Sequence, residues 1–389
     1  MNASYLVAGC RTPIGKFLGQ LSSMTAPQLG AAAIRECLRR AAIDPREVDE
    51  VIMGNVLSAG VGQAPARQAA LAAGLPPEVA ALTINKVCGS GLKAVMLADQ
   101  AIRAGDARAI IAGGMESMSR APHLVMGARK GIKFGDAPLV DSMLHDGLCC
   151  AIEGGAMGDA ADYIAREKSV SRADQDALSA ESHRRAAAAR EHFQAEIVPV
   201  ELEGKRRERI DRDEGPRPDT TAEGLAALAP AFSPEGTATA GNASQLSDGA
   251  AAVAVVSAEL AESRRWPLRY RIVAAATSGV APRDLFIAPV SAVERVLAKA
   301  NLKLDDIDLV ELNEAFAAQS LACMRPLGLD PSKTNIHGGA IALGHPIGAS
   351  GARVLVTLLY ALEARKARRG LAALCLGGGN AVAMIVERA

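Results

Sequence analysis

The stretch GSGLKAVMLADQAI, Gly89 to Ile102, decides how the chain is read, because its outline occurs twice. GASGARVLVTLLYAL (Gly348–Leu362) shares its small-residue start and its apolar spacing. Two further pairs follow the same order. VDEVIMGN (Val48–Asn55) resembles IDLVELNE (Ile307–Glu314), and RAIIAGGMES (Arg108–Ser117) resembles LAALCLGGGNA (Leu371–Ala381). The copies lie about 260 residues apart, too far for a solenoid repeat, so the chain reads as two similar halves.

Local patterns fill in each half. Tyr5–Ala8, Glu50–Val56, Leu82–Asn85 and Ala109–Ala112 read as strands, and Leu29–Ala42, Ala66–Ala73 and Leu92–Ala104 as helices. This alternation predicts a layered α/β fold with a mainly parallel sheet. Residues 1–116 form the first half, completed by about 244–267, and residues 268–389 form the second. Residues 117–243 are richer in charge and turn residues and read as an inserted loop or lid domain. They carry one long helix, Arg172 to about Phe193, opened by Ser171 and Asp174 as a variant capping box. They also carry a charge-dense loop, EGKRRERIDRDEGPRP (Glu203–Pro218). A site is expected between the halves.

Bulk composition narrows the function. The 389 residues suffice for two or three domains, and 49% hydrophobic residues allow a large core. Lys+Arg and Asp+Glu both total 43, and aromatics are 3%, which argues against a nucleic-acid partner. Seven cysteines without a C-x-x-C pair make neither a disulfide scaffold nor a structural zinc site, and no metal is expected. The opening residues lack a signal peptide's basic region, and no apolar run approaches the ~18 residues that span a bilayer. A cytoplasmic protein with no membrane partner is the expectation.

Four places hold residues able to do chemistry. Cys88 precedes Gly-Ser-Gly where a helix begins. A cysteine is more often a buried packing residue, but a helix start offers free N–H groups and a positive dipole end that favour a thiolate nucleophile. His345 sits in the Gly-rich stretch HGGAIALGHPIGASGAR (His337–Arg353), where it either is structural or serves as a base. His337 reads as structural. Cys375 lies in an apolar strand before three glycines whose N–H groups could hold an oxyanion. Asn313, in ELNEAFA (Glu311–Ala317), is either a helix N-cap or a reactive amide. No G-x-G-x-x-G follows the first strand, so a dinucleotide-dependent dehydrogenase is excluded.

Taken together with RTPIGKFLG (Arg11–Gly19), NKVCGSGLKA (Asn85–Ala94), AGGMESMS (Ala112–Ser119), GNAS, SDGAA and CLGGGNAVA, these motifs resemble the thiolases over nearly the whole chain, in the family's order. The likeness is to the biosynthetic branch. It implies a thiolase fold and the reversible condensation of two acetyl-CoA to acetoacetyl-CoA, with no cofactor beyond CoA and acyl-CoA as substrates. Cys88 would carry the acyl group, His345 would act as its base, and Cys375 would exchange the proton on the methyl carbon. Asn313, through a water, would form one oxyanion hole with His345, and the N–H groups of Cys88 and Gly377 the other. Ser244 and Arg217 would contact CoA, and Met157 and Phe316 would line the acyl pocket. GIKFGDAPLVDSMLHDGL (Gly131–Leu148) resembles the tetramerisation and lid segment of short-chain members, which implies a homotetramer and a place in fatty acid metabolism.

Two departures bear on chain length. Ala156 stands where relatives often have histidine, and LFIAP (Leu285–Pro289) replaces Met-Gly-x-Gly-Pro. A degradative thiolase for longer 3-ketoacyl chains and a thiolase-like protein without turnover are the alternatives.

Overall fold

A computed structural model describes residues 3–202, 208–266 and 269–389. The first residues of the charge-dense loop, 203–207, and the expected boundary between halves at 267–268 lie outside the described residues.

The strands are β1 (Ser4–Arg11), β2 (Glu50–Gly54), β3 (Ala80–Ile84), β4 (Ala109–Ser117), β5 (Ser247–Ser257), β6 (Tyr270–Gly279), β7 (Leu309–Leu312), β8 (Arg369–Leu376) and β9 (Asn380–Arg388). They run in the order β7-β8-β9-β6-β1-β5-β4-β2-β3 within a ten-stranded sheet, and the short strand Gly15–Lys16 pairs with β5. The duplication is visible in the pairing. β2 and β4 are parallel neighbours, as are β7 and β8. An antiparallel neighbour follows in each half, β5 beside β4 and β9 beside β8, and then another, β1 and β6. Thr334 even bridges Val310 in parallel where β3 pairs with β2. Among the described residues, the halves meet edge to edge only at Tyr5–Leu6 and Tyr270–Arg271.

The sheet is therefore mixed rather than mainly parallel. Its parallel pairs are β2 with β3, β2 with β4, and β7 with β8. Strands β8 and β9 are joined by the tight turn through Gly377–Gly379, and a short turn can only return the chain antiparallel. Periodicity marks where strands are, but not which neighbour each one takes.

The helices that matter are α1 (Ala26–Ala41), α2 (Ser90–Ala104), α3 (Arg172–Ala188), α4 (Ala288–Ala300) and α5 (Ile347–Arg365). Strand β5 shows why they sort into layers. Its Ala250, Ala252, Ala254 and Val256 pack with α1 residues, while Ala251, Val253 and Val255 face a second core that includes α2 and α5. The long repeated segments are thus the central helices. They approach each other reciprocally. A Cβ on Gly91 would sit 2.6 Å from the Ala352 nitrogen, and one on Gly351 would sit 2.3 Å from the Leu92 nitrogen. Only glycine permits both contacts. Helix α5 is long and apolar enough to cross a membrane, but 83% of its apolar window is buried inside the protein, as expected of a core helix.

The inserted segment is tied to β1 by a buried ion-pair cluster. Arg11 donates Nε to Glu196 at 2.5 Å and both terminal nitrogens to Asp213 at 2.6 and 2.8 Å. Helix α3 starts as expected, with the Ser171 hydroxyl accepting from the Asp174 N–H at 3.1 Å. It stops at Ala188, short of Phe193. A tight turn over His192–Ala195 then brings buried Phe193 beneath the Arg11 guanidinium, 5.0 Å from its ring centre.

Candidate active site

Each reactive residue lies where an element begins or ends. Strand β3 ends at Ile84, and the turn after it is held by its own side chains. Asn85 Oδ1 accepts the Val87 N–H at 2.9 Å, and Ser90 Oγ accepts the Lys86 N–H at 2.8 Å and donates to the Val87 carbonyl at 2.7 Å. These bonds hold Val87 at φ 46, a left-handed conformation that is costly for a β-branched residue. The reward is a sharp corner that presents Cys88 just before α2. His345 follows Gly344, whose φ of 108 suits glycine alone, and its N–H donates to the Gln245 carbonyl at 2.9 Å. Cys375 is the penultimate residue of β8 and Gly377 follows that strand, while Asn313 follows β7. The carboxyl ends of β3, β7 and β8 thus gather one site, as in open α/β sheets generally.

Seven of the nine sequence candidates line one cavity of about 270 Å³: Cys88, His345, Cys375, Gly377, Ser244, Met157 and Phe316. Ser244 and Phe316 arrive together, because the Ser244 N–H donates to the Ala315 carbonyl at 3.0 Å and Ala317 donates to Asn242 at 2.9 Å. Asn313 is buried behind this wall rather than in it. Its Oδ1 accepts from Arg353 at 3.3 Å, and its Nδ2 has no partner among the described residues. Arg217 is exposed on the inserted segment and off the cavity wall, its N–H donating to His183 Nδ1 at 3.1 Å. His337 stacks on His192 at 3.9 Å between ring centres, away from the cavity, and burial pushes it down to about 4. Among the described residues no group of three or more His, Cys, Asp or Glu is placed to hold a metal ion.

The electrostatics correct one expectation. The helix start was expected to keep Cys88 ionised. Burial instead pushes its thiol up to about 11, and the Gly377 and Cys88 N–H groups aimed at the sulfur recover only part of that shift. The nearby buried Glu116 also opposes a thiolate. Burial drives His345 down to about 3, with the Arg353 charge adding to it, and drives the Cys375 thiol well above its ordinary range. These surroundings favour the uncharged form of each group. Charge is favoured most as a pair, thiolate with imidazolium, each stabilising the other in a low-dielectric cavity. Alkylation of Cys88 by iodoacetamide should accordingly be slow at pH 7 and rise about tenfold per pH unit up to pH 10, because the thiolate fraction grows at that rate below the pKa. A rate already flat above pH 7 would contradict a thiol held in its neutral form.

Sequence reasoning passed over Glu116, although AGGMES was in view. Its buried carboxyl accepts from Asn55 Nδ2 (2.7 Å) and from the N–H groups of Val56 (3.0 Å), Leu57 (3.1 Å) and Gly348 (2.9 Å). It pins the loop after β2 in one half to the start of α5 in the other. Leu144 and Leu148, supplied by a wide turn over Met143–Leu148, were missed as wall residues because nothing in their local pattern marks them. Of the two glycines after Cys88, Gly91 meets the α5 backbone, whereas Gly89 faces Leu376 at the cavity wall.

A half-buried thiol, an imidazole nitrogen without a partner among the described residues and a second, buried thiol are thus gathered at one cavity of a duplicated α/β fold. Residues 4–259 match the N-terminal domain of thiolase and residues 267–388 its C-terminal domain. The chain is 53% identical to the acetyl-CoA acetyltransferase of Pseudomonas aeruginosa over 98% of both chains. It is 52% identical to that of Escherichia coli over the full length of both. A crystal structure of the Bacillus anthracis acetyl-CoA acetyltransferase superposes with a TM-score of 0.98 at 39% identity, covering 100% of this chain and 99% of that one. The chain belongs to the thiolase family.

Proposed function

We propose that the protein is an acetyl-CoA acetyltransferase, which condenses two acetyl-CoA into acetoacetyl-CoA and CoA and runs the reverse thiolysis. The observation that carries this reading is the convergence of Cys88, His345 and Cys375 on one largely apolar cavity. Full-length relatives near 50% identity carry that name.

The chemistry follows from the placement. The Cys88 sulfur adds to the thioester carbonyl of acetyl-CoA as His345 takes its proton. The C–S bond to CoA then breaks, and the proton leaves with the CoA thiolate, so acetyl remains on Cys88. Cys375, its own proton first passed to His345, then accepts a proton from the methyl carbon of a second acetyl-CoA. The resulting carbanion attacks the Cys88 thioester, and Cys88 departs as a thiolate that takes its proton back from His345. The N–H groups of Cys88 and Gly377, aimed into the cavity, suit one oxyanion, and Asn313 with His345 would serve the other. The steps use CoA and acyl-CoA as substrates and call for neither metal nor organic cofactor. Ser244 would contact the pantetheine arm, and exposed Arg217 would meet the nucleotide phosphates.

The wall favours short acyl groups. Phe286 is buried against Phe316 at 5.4 Å between ring centres, and Leu285 is buried beside it. They occupy space that a smaller loop would leave open. Acetoacetyl-CoA should be cleaved with a kcat/KM at least about tenfold above that of six-carbon and longer 3-ketoacyl-CoAs, since one methylene in an apolar pocket is worth about that much. Phe286→Ala should narrow the gap. A large preference for longer chains in the parent protein would overturn the assignment.

Assembly as a homotetramer is supported by the hairpin His123–Val125 and Leu139–Asp141, which together with its connecting loop exposes Met126, Ile132, Phe134 and Leu139. Seven free cysteines suit a reducing cytoplasm, and the proposed acyl-CoA substrates suit a role in fatty acid metabolism there.

A further inference from the structure

Ser350 lies on the first turns of α5, fully buried, five residues beyond His345. Its hydroxyl has two neighbours, the Pro346 carbonyl at 2.9 Å and His345 Nδ1 at 2.6 Å. A carbonyl oxygen can only accept, and the Ser350 hydroxyl is placed to give its single hydrogen to Pro346. This is the back-bonding to the carbonyl four residues earlier that serine favours within a helix. With its hydrogen given to Pro346, the oxygen can only accept from the imidazole, and this arrangement requires the ring proton on Nδ1. The opposite nitrogen, Nε2, is buried without a partner among the described residues, on a ring that lines the cavity with Cys88. In the other tautomer Nε2 would present a proton to the cavity and could not take one from the thiol. Arg353, one turn further along α5, completes the setting by donating to Asn313 Oδ1 and leaving Nδ2 as the free edge of that amide.

We propose that Ser350 is a positioning residue for the reaction assigned above: it selects the Nδ1–H tautomer of His345 and so keeps Nε2 available as the base for Cys88. The inference rests on that assignment for the role of His345, but the tautomer itself is a property of the resting protein and can be read without any substrate.

The test pairs kinetics with solid-state 15N NMR of histidine-labelled protein, using His345→Asn to identify the His345 signals among the six histidines. The parent protein should show a protonated Nδ1 and an unprotonated Nε2. Ser350→Ala should lower kcat for acetoacetyl-CoA thiolysis on the order of ten- to a hundredfold, the range expected when a buried partner is left unpaired. KM should stay within about twofold, and the Nδ1–H signal should weaken. Ser350→Thr, which keeps the hydroxyl, should restore both. A parent His345 protonated on Nε2 would overturn the proposal. So would a Ser350→Ala variant with unchanged turnover, or one whose turnover falls while the tautomer stays as in the parent. If neither variant folds, the tautomer of the parent protein decides the matter alone. An absence of thiolysis by the parent, with the Nδ1–H tautomer present, would refute the assigned activity and leave the tautomer lock standing.

Discussion

Cys88→Ala removes the acyl carrier, and turnover in both directions is expected to fall by at least about a thousandfold. No neighbouring group can replace it. Cys375 also lines the cavity, but burial holds it well above its ordinary range with Cys88 adding to the shift, and its place there suits proton exchange rather than attack. The change removes one sulfur from a cavity wall and leaves the Asn85 and Ser90 bonds of the turn in place, so the melting temperature should stay within a few degrees. Two measurements check the prediction: steady-state thiolysis of acetoacetyl-CoA, and mass spectrometry of protein mixed with acetyl-CoA. The parent should carry an acetyl adduct and the variant none. A variant that keeps parental thiolysis would refute the nucleophile assignment.

The second large effect is on the fold. Gly91→Val would place a Cβ 2.6 Å from the Ala352 nitrogen, in the backbone of a buried helix that has no room to retreat. Overpacking of this kind costs about 3 kcal/mol or more. The melting temperature should drop by roughly 5 °C at least. Turnover should suffer beyond the stability loss. Helices α2 and α5 begin just after Cys88 and His345, so a change in their separation displaces nucleophile and base together, and a ~1 Å misplacement costs about a hundredfold in rate. Parallel melts and rates on soluble variant protein would show this. A variant that melts and turns over like the parent would mean that the glycine contact can relax freely.

These two predictions also mark where sequence reading succeeds and where it stops. The halves were legible because apolar spacing and small residues repeat in order, and the structure places the repeated segments as equivalent strands and helices. Cys88, His345 and Cys375 were legible because each interrupts a regular pattern with glycines. The sheet's direction was not, because β5 and β9 pair with β4 and β8 through tertiary choices that carry no local signature. The ionisation of Cys88 was misread for a related reason. A helix start is a local feature, but the surroundings that oppose a thiolate, Glu116 and cavity-wall residues such as Leu376 and Ile347, come largely from parts of the chain distant in sequence. Ser350 and Glu116 were in plain view, yet their roles depend on which carbonyl or N–H group each one meets.

The reciprocal contact of Gly91 with α5 and Gly351 with α2 has a further meaning. Each half supplies one glycine and one backbone, so neither copy can change its central helix without meeting the other. Duplicated genes ordinarily let their copies drift apart. Here the two copies are fastened at the crossing, and the distance between nucleophile and base becomes a property of the pair. Divergence is left to the cavity walls, at positions such as Ala156 and Phe286.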